Sequence, residues 1–156
     1  MKRKDVTILI PAYKPDEKLL KLIDKLNEAE YDIVVVNDGS GEKFQHIFDS
    51  IHSAKVIEYP VNKGKGGALK TGISYINENT SAKYIITADA DGQHTPEDIT
   101  KLADFLVSSK DNSSTFVIGS RKFTGEVPFK SKYGNKITIG AFALASGVKI
   151  GDWLFF

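Results

Sequence analysis

Residues 84–96 read YIITADADGQHTP, and this stretch decides the fold. It begins as a short run rich in β-branched residues, continues through an Asp-Ala-Asp-Gly turn, and ends in a Thr-Pro pair. The run predicts a buried strand, and Thr95 followed by Pro96 predicts the N-cap and first residue of a helix. A strand that leads directly into a helix indicates an α/β protein with polar chemistry where the strand ends.

The same alternation extends to both sides of this stretch. The predicted strands are residues 6–10, 33–36, 56–59, 84–87 and 116–118. Apolar residues at helical spacing occupy 19–26, 44–51 and 99–106. Several strands are apolar without alternation, as in parallel strands covered on both faces. We therefore predict a Rossmann-like α/β fold, an open and mostly parallel sheet with helices on both faces.

The composition limits the classes of function. A chain of 156 residues builds one domain with a sizeable core, and no apolar run reaches the length of a membrane span. The formal net charge of +1 argues against a broad surface for duplex nucleic acid. The sequence has no cysteine, which excludes disulfides and thiolate metal sites. These features fit a cytoplasmic protein that handles a small ligand.

Polar or glycine-rich residues follow each predicted strand. They are Pro11-Ala12-Tyr13, Asn37-Asp38-Gly39-Ser40, residues 62–67, residues 89–94 and Gly119-Ser120-Arg121. Parallel sheets of this kind bind ligands at the carboxyl ends of their strands. We therefore predict that this edge of the sheet is the functional one.

The pair Asp89 and Asp91 predicts a metal site. Two carboxylates two residues apart point to the same side if the chain stays extended, and they repel one another without a cation between them. Hard oxygen ligands suit Mg²⁺ or Mn²⁺, with diphosphate oxygens completing the shell at roughly 2.0–2.2 Å. Gln93 and His94 lie close enough in sequence to contribute. The alternative is a solvated Asp-Gly turn.

Asp38 and the loop after the third strand predict contacts to a nucleotide. A carboxylate at Asp38 can accept hydrogen bonds from a base or a ribose, whereas the alternative is an Asx-turn. Residues 62–68 match neither a P-loop nor Gly-x-Gly-x-x-Gly, but glycines and a lysine at a helix start form an anion site. Lys65 is the candidate for phosphate contact. Arg121 can grip phosphate bidentately or form a surface salt bridge.

These motifs, in this order, resemble those of family 2 glycosyltransferases with the GT-A fold, and most closely the dolichol-phosphate mannose synthase and polyprenyl-phosphate glycosyltransferase group. The resemblance covers roughly residues 6–135. It implies that the nucleoside is held by Pro11, Ala12, Tyr13 and Asp38. It implies that metal and diphosphate are held by Asp89, Asp91 and Gln93, with Lys65 and Arg121 near phosphate or sugar and Lys130 and Lys132 near an acceptor phosphate.

The sequence departs from the family pattern at two places, and each departure leads to an expectation about the structure. Lys14-Pro15-Asp16 replaces the usual Asn-Glu after the first tyrosine, so one nucleoside contact is expected to move to Asp16. Residues 147–152 resemble the start of a longer family segment, so we expect a fold truncated on its acceptor side. The expected organisation is a nucleotide-sugar-binding half at 1–125 and an incomplete acceptor-side segment at 126–156.

The predicted activity is a metal-dependent, inverting transfer from a UDP- or GDP-linked sugar to a polyprenyl phosphate. Asp91 and Arg121 are the predicted catalytic residues. Asp152 is a candidate base if the acceptor is instead a sugar hydroxyl, because an ionised phosphate needs none. A chain that binds nucleotide sugar without turnover is a further alternative. The apolar residues near the end predict self-association as a homodimer, or peripheral contact with the inner face of the membrane.

Overall fold

The computed structural model describes residues 5–92 and 94–108. The strands are Val6–Ala12 (β1), Asp32–Asp38 (β2), Lys55–Tyr59 (β3) and Tyr84–Thr87 (β4). The helices are Lys18–Glu28 (α1), Gln45–Asp49 (α2), Gly64–Asn79 (α3) and Pro96–Ser108 (α4), with a 3-10 turn at Glu42–Phe44. The predicted strand at 116–118 and the predicted boundary near 125 lie outside the described residues.

All strand pairs in the described sheet are parallel, and the order is β3-β2-β1-β4. The chain moves outward from β1 through β2 to β3 and then returns to the other side of β1 as β4. This reversal places a topological switch point between β1 and β4, where sheets of this class bind their ligands. The predicted α/β fold with a parallel sheet is confirmed.

Helices cover the sheet because its strands are apolar on both faces. Leu9, Val34 and Val36 pack against Ala68 and Ile76 of α3. The alternate residues Ile8, Ile10 and Val35 point to the opposite face and are 0% exposed. The helices α1 and α4 contact each other, α1 contacts β2 and α4 contacts β4.

Gly72 allows α3 to lie close to the sheet. A Cβ atom at this position would overlap the side chain of Leu9, which is fully buried. Glycine therefore costs helix propensity here but permits the close approach.

The sequence placed the end of β1 too early. The strand continues through Pro11 to Ala12, whereas we expected it to stop before the proline. The last pair between β1 and β4 is Leu9 with Thr87, so among the described strands β2 alone pairs with β1 at Pro11. A residue without an N–H is tolerated in a strand that is unpaired on one side.

The helix predicted over 44–51 is shorter in the structure. Only Gln45–Asp49 is α-helical, because Phe44 belongs to the 3-10 turn and the Ser50 hydroxyl donates to the carbonyl of His46 at 2.7 Å. By contrast, the predicted cap of α4 is confirmed, since Thr95 Oγ1 accepts the N–H of Asp98 at 3.2 Å. Within the described residues, no helix combines the length and apolarity needed to cross a bilayer.

Candidate functional site

The carboxyl edge of the sheet brings the predicted motifs together. Ala12 ends β1, Asp38 ends β2, Tyr59 ends β3 and Asp89 follows β4. Strand register places Asp38 beside Tyr59. The first turn of α3, which carries Lys65, begins a few residues after β3. The predicted phosphate loop and the predicted carboxylate pair therefore belong to one site.

Asp38 is the buried centre of a hydrogen-bond cluster whose other members are partly or fully exposed, and we call this cluster the Asp38 network (Asp38, Tyr59, Asn62 and Lys63). Asp38 is 2% exposed. Its Oδ1 accepts the Tyr59 hydroxyl and the Lys63 backbone N–H, each at 2.7 Å. Its Oδ2 and its carbonyl oxygen both accept the Asn62 side-chain amide at 3.0 Å. The network ties the end of β2 to the loop that begins α3.

Tyr59 is chemically coupled to Asp38. Burial and the hydrogen bond to the Asp38 carboxylate raise the pKa of the Tyr59 phenol to about 12. Phenolate beside carboxylate would bring two like charges into contact. The hydroxyl is therefore held protonated as a hydrogen-bond donor, with the Lys63 ammonium 4.3 Å from the centre of its ring.

Gly39 lets the turn after β2 touch the same loop. Its φ is +63°, and a Cβ atom there would overlap the backbone nitrogen of Asn62. In place of the Asx-turn considered for Asp38, the side chain of Asn37 holds this turn, because its Oδ1 accepts the Ser40 N–H at 3.0 Å. Asp38 is thereby available to the network.

Lys65 reaches from α3 to the end of β4. Its Nζ lies 2.6 Å from Asp89 Oδ1. The Lys65 side chain is 53% exposed and that of Asp89 25%, so the pair adds little to stability in water. The contact between Lys65 and Asp89 matters for its location, because it joins a cation and a carboxylate beside the topological switch point.

The loop after β4 turns instead of staying extended. The Asp89 N–H donates to His94 Nδ1 at 3.0 Å, and Gly92 adopts a φ of +77°. We expected Asp89 and Asp91 to point to the same side if the chain stayed extended between them. It turns there instead, so that condition is not met. Asp89 is partly buried and Asp91 is exposed. His94, which we noted only as a neighbour of the carboxylates, helps to close this loop.

The carboxylates after β4 have the chemistry of metal ligands, but the described residues alone do not form a complete metal site. Among residues 5–92 and 94–108, no group of three or more His, Asp or Glu side chains is arranged to hold a metal ion. Asp89 and Asp91 are hard oxygen donors of the kind that Mg²⁺ and Mn²⁺ accept. The donor set therefore suits an ion whose remaining ligands are water and phosphate, as Mg²⁺ usually has in such sites.

The residues at the end of β1 and just after it differ in how exposed they are to solvent. Tyr13 is 50% exposed, and the Lys14 ammonium lies 4.9 Å from the centre of its ring. Ala12 is 1% exposed.

The Lys14 N–H donates to Ser40 Oγ at 2.9 Å, which links the ends of β1 and β2. Asp16 Oδ1 accepts the N–H of Lys18 at the start of α1. Nucleoside contacts by Pro11, Ala12, Tyr13, Asp16 and Asp38 stay predictions.

Several predicted site residues lie outside the described part of the chain. They are Gln93, Arg121, Lys130, Lys132 and Asp152. Tyr59 and Asn62, in contrast, were not singled out from the sequence. Asn62 is the first residue of the glycine-rich loop at 62–68, so its place in that motif was a signal that could have identified it. For Tyr59 the sequence showed only an aromatic residue at the end of a predicted strand.

Comparison with known proteins identifies the family. The model of glycosyl transferase family 2 matches residues 7–151. The chain therefore belongs to glycosyl transferase family 2, which confirms the resemblance of its motifs, and its fold is the GT-A fold.

Curated relatives are 29–34% identical to the chain over the residues that align. It is 30% identical to the UDP-N-acetylglucosamine–dolichyl-phosphate N-acetylglucosaminyltransferase of Methanococcus voltae, covering 86% of this chain and 61% of that protein. It is 34% identical to the dolichol-phosphate mannosyltransferase of Pyrococcus furiosus, covering 89% and 41%. It is 29% identical to the undecaprenyl-phosphate 4-deoxy-4-formamido-L-arabinose transferase of Photorhabdus laumondii, covering 96% and 47%. The chain thus spans about half the length of these relatives.

A solved structure shares the fold. The crystal structure of S. aureus TarS 1–349 matches with a TM-score of 0.51 at 19% identity. The match covers 65% of this chain and 32% of that one. At this identity the likeness supports the architecture alone.

Proposed function

We propose that the chain is the donor-binding part of an inverting glycosyltransferase that moves a sugar from a UDP- or GDP-linked donor to a polyprenyl phosphate. Membership of glycosyl transferase family 2 supports the reaction class. The polyprenyl phosphate acceptor is favoured by the names of three relatives, which specify dolichyl, dolichol and undecaprenyl phosphates. Such an acceptor also implies peripheral contact with the inner face of the membrane.

The contact between Lys65 and Asp89 is the observation that carries this proposal. Negative charge develops on the nucleoside diphosphate as it leaves the sugar, and a fixed cation beside it lowers the barrier. Lys65 lies in the first turn of α3, where backbone N–H groups also favour an anion. The Asp38 network holds the loop leading into this turn.

A divalent ion, Mn²⁺ or Mg²⁺, completes the proposed donor site. Asp89 and Asp91 would hold it together with diphosphate oxygens, and Gln93 is a further candidate ligand. When bound, the ion would neutralise charge on the departing diphosphate. Lys65 would then exchange its contact with Asp89 for a phosphate oxygen.

The acceptor side of the proposal depends on residues outside the described ranges. A phosphate oxygen is ionised and attacks the anomeric carbon without a general base, so Asp152 is needed only if the acceptor is a sugar hydroxyl. Arg121 would assist the leaving group, and Lys130 and Lys132 would bind the acceptor phosphate. The alternatives are transfer to a sugar hydroxyl in cell-surface polysaccharide, and donor binding without turnover.

Calorimetric titration with UDP and GDP, each with and without Mn²⁺, tests the donor site. We expect one nucleotide to bind only with the metal. Asp91→Ala should weaken that binding by about tenfold or more, because charged contacts to the bound ion are lost. The matched control is Asp104→Ala, which removes an exposed carboxylate of α4 and should bind as the wild type does.

Failure of either nucleotide to bind under any condition would overturn the proposal. If the donor binds but no sugar is transferred to undecaprenyl or dolichyl phosphate, the result would favour the alternative in which the chain binds the donor without turnover. Metal-independent binding that Asp91→Ala leaves unchanged would remove the metal from the site.

A further inference from the structure

The loop that carries Asp89 and Asp91 is approached at two places by lysine side chains. Lys65 of α3 reaches it at Asp89, with its Nζ 2.6 Å from Oδ1. Lys18, the first residue of α1, reaches it at Gly92. A Cβ atom built on Gly92 would lie 3.6–3.9 Å from the Cβ, Cγ and Cδ atoms of Lys18, so the stem of this lysine runs alongside the turn.

The two lysines come from helices on opposite faces of the sheet. α1 connects β1 to its neighbour β2, whereas α3 connects β3 back across the sheet to β4. Right-handed crossovers that run in opposite directions place their helices on opposite faces. Each helix begins a few residues after the carboxyl end of a strand. Lys18 and Lys65 therefore approach the loop after β4 from the two sides of the carboxyl edge.

The backbone of Lys18 is held in place, whereas its ammonium is held weakly. Asp16 Oδ1 accepts the Lys18 N–H at 2.9 Å, which fixes the start of α1. The ammonium lies 3.7 Å from Asp16 Oδ2, and the two side chains are 62% and 63% exposed. An ion pair this long and this exposed contributes little in water. The ammonium can therefore leave Asp16 for another anion at small cost.

A diphosphate held over this loop needs more than one cation beside it. Its negative charge extends over both phosphates, whereas the ammonium of a single lysine is a compact point charge. Lys65 approaches the loop at Asp89, and Lys18 passes the loop two turns of sequence later, at Gly92. Cations placed on both sides of the leaving group stabilise the charge that develops there better than one alone.

We propose that Lys18 is a further phosphate-binding residue of the donor site, which contacts the diphosphate from α1 while Lys65 contacts it from α3. The inference rests on the proposed function, because it assigns Lys18 to that same donor site. When the donor binds, the Lys18 ammonium exchanges Asp16 for a phosphate oxygen, and its stem stays alongside Gly92. The motifs in the sequence gave Lys18 no role.

Lys18 also has a simpler role to be tested against, in which its stem only supports the turn at Gly92. Three substitutions separate the two roles. Lys18→Met keeps an apolar stem without the charge, Lys18→Ala removes both, and Lys18→Arg keeps the charge. Lys25→Met is the matched control, because Lys25 is exposed on the same face of α1 and lies about 10 Å further along the helix axis.

The experiment is calorimetric titration of the wild type and these variants with UDP, GDP and inorganic diphosphate, all with Mn²⁺. We expect Lys18→Met and Lys18→Ala to weaken every ligand that the wild type binds by a similar factor, about three- to tenfold, because a charged contact to phosphate is lost. Lys18→Arg should bind within about twofold of the wild type, and Lys25→Met should bind as the wild type does.

The amide proton of Gly92 gives a readout in the free protein. Lys18→Ala should shift it, because the stem beside the turn is removed. Lys18→Met should leave it close to the wild-type position. Lys18 is exposed, so its variants are expected to fold, and thermal melts check this.

Four outcomes would contradict the inference. If Lys18→Met binds as the wild type does while Lys18→Ala is weakened, the stem only supports the loop. If Lys25→Met weakens binding as much as Lys18→Met, the effect is a general loss of charge. If inorganic diphosphate is spared while UDP or GDP is weakened, Lys18 contacts the nucleoside. If Lys18→Ala leaves the Gly92 amide proton unshifted, the stem does not lie beside the turn.

Failure of the proposed function gives a different result. In that case the wild type itself binds none of the three ligands, and the inference falls with it. In each of the four outcomes above, by contrast, the wild type still binds the donor.

Discussion

The hydroxyl of Tyr59 stands 2.7 Å from the Asp38 carboxylate, and this contact makes stability depend on pH. The pKa of the phenol is raised from 10.0 to about 12. Between those values the folded protein keeps a proton that the unfolded chain releases. The stabilisation is complete below pH 10 and is lost as the pH rises through the folded-state pKa.

We expect Tyr59→Phe to lower the free energy of unfolding by about 1–2 kcal/mol near neutral pH, because Asp38 loses one of its donors. Above pH 10 the difference from the wild type should shrink, as the wild type loses the same contact. Urea denaturation of both proteins along a pH series measures this. A difference that stays constant across the alkaline range would show that the phenol does not titrate with folding.

Thr7 is the opposite case, a polar group with no matching partner. It is 1% exposed in β1, and within the described part of the chain its hydroxyl has no hydrogen-bond partner. Burying an unpaired hydroxyl costs free energy that a methyl group of similar size avoids.

We expect Thr7→Val to raise the free energy of unfolding by about 1 kcal/mol, measured by urea denaturation. Thr87→Val is the control, because Thr87 is exposed at the end of β4 and its replacement should change stability by less than about 0.5 kcal/mol. A loss of stability in Thr7→Val would mean that the hydroxyl is satisfied by a group beyond the described residues.

At the scale of elements, α3 packs on the sheet through two small residues and one large one. Its buried positions are Ala68, Gly72 and Ile76, one residue per turn. The helix can therefore lie close to β1 and β2, and its first turn is at the carboxyl edge of the sheet because α3 follows the end of β3.

We expect Gly72→Ala to destabilise the protein by about 1–3 kcal/mol, because the new methyl group overlaps Leu9. Gly66→Ala lies in the same helix and meets nothing within 4 Å, so there alanine should be neutral or stabilise by up to about 1 kcal/mol. Thermal or urea unfolding of the pair measures the contrast. Equal effects would show that α3 can move away from the sheet.

The elements differ in how far the sequence predicted them. The apolar runs of β1 to β4 were located to within about two residues, because strands buried on both faces have a plain signal. A helix start was expected within residues 62–68, but no helix was predicted over Gly64–Asn79. Its buried stripe contains alanine and glycine, which carry little hydrophobic periodicity.

For the whole molecule, the order of the motifs predicted the family and the edge on which the site lies. The approach of Lys65 to Asp89 follows from parallel strands ending at one edge. The contact of Asp38 with Tyr59 could not be predicted, since it requires β2 and β3 to be neighbours in a particular register. Residue types alone suggested a ligand for Asp38, which stays a prediction, and they gave no sign of its hydrogen bonds within the chain.

The sheet order also determines when the site can exist during synthesis. Val6 of β1 pairs with Tyr84 of β4, and at roughly 5–20 residues per second the ribosome needs about 4–16 s to make the chain between them. During that interval β1 has an unpaired apolar edge, which invites pairing with other chains. Asp89 is made later still, so a nascent chain already carries Lys65 on α3 while the carboxylate it contacts is absent. The proposed donor site can therefore form only after translation has passed β4, and until then the growing chain can pair with other chains through the open edge of β1.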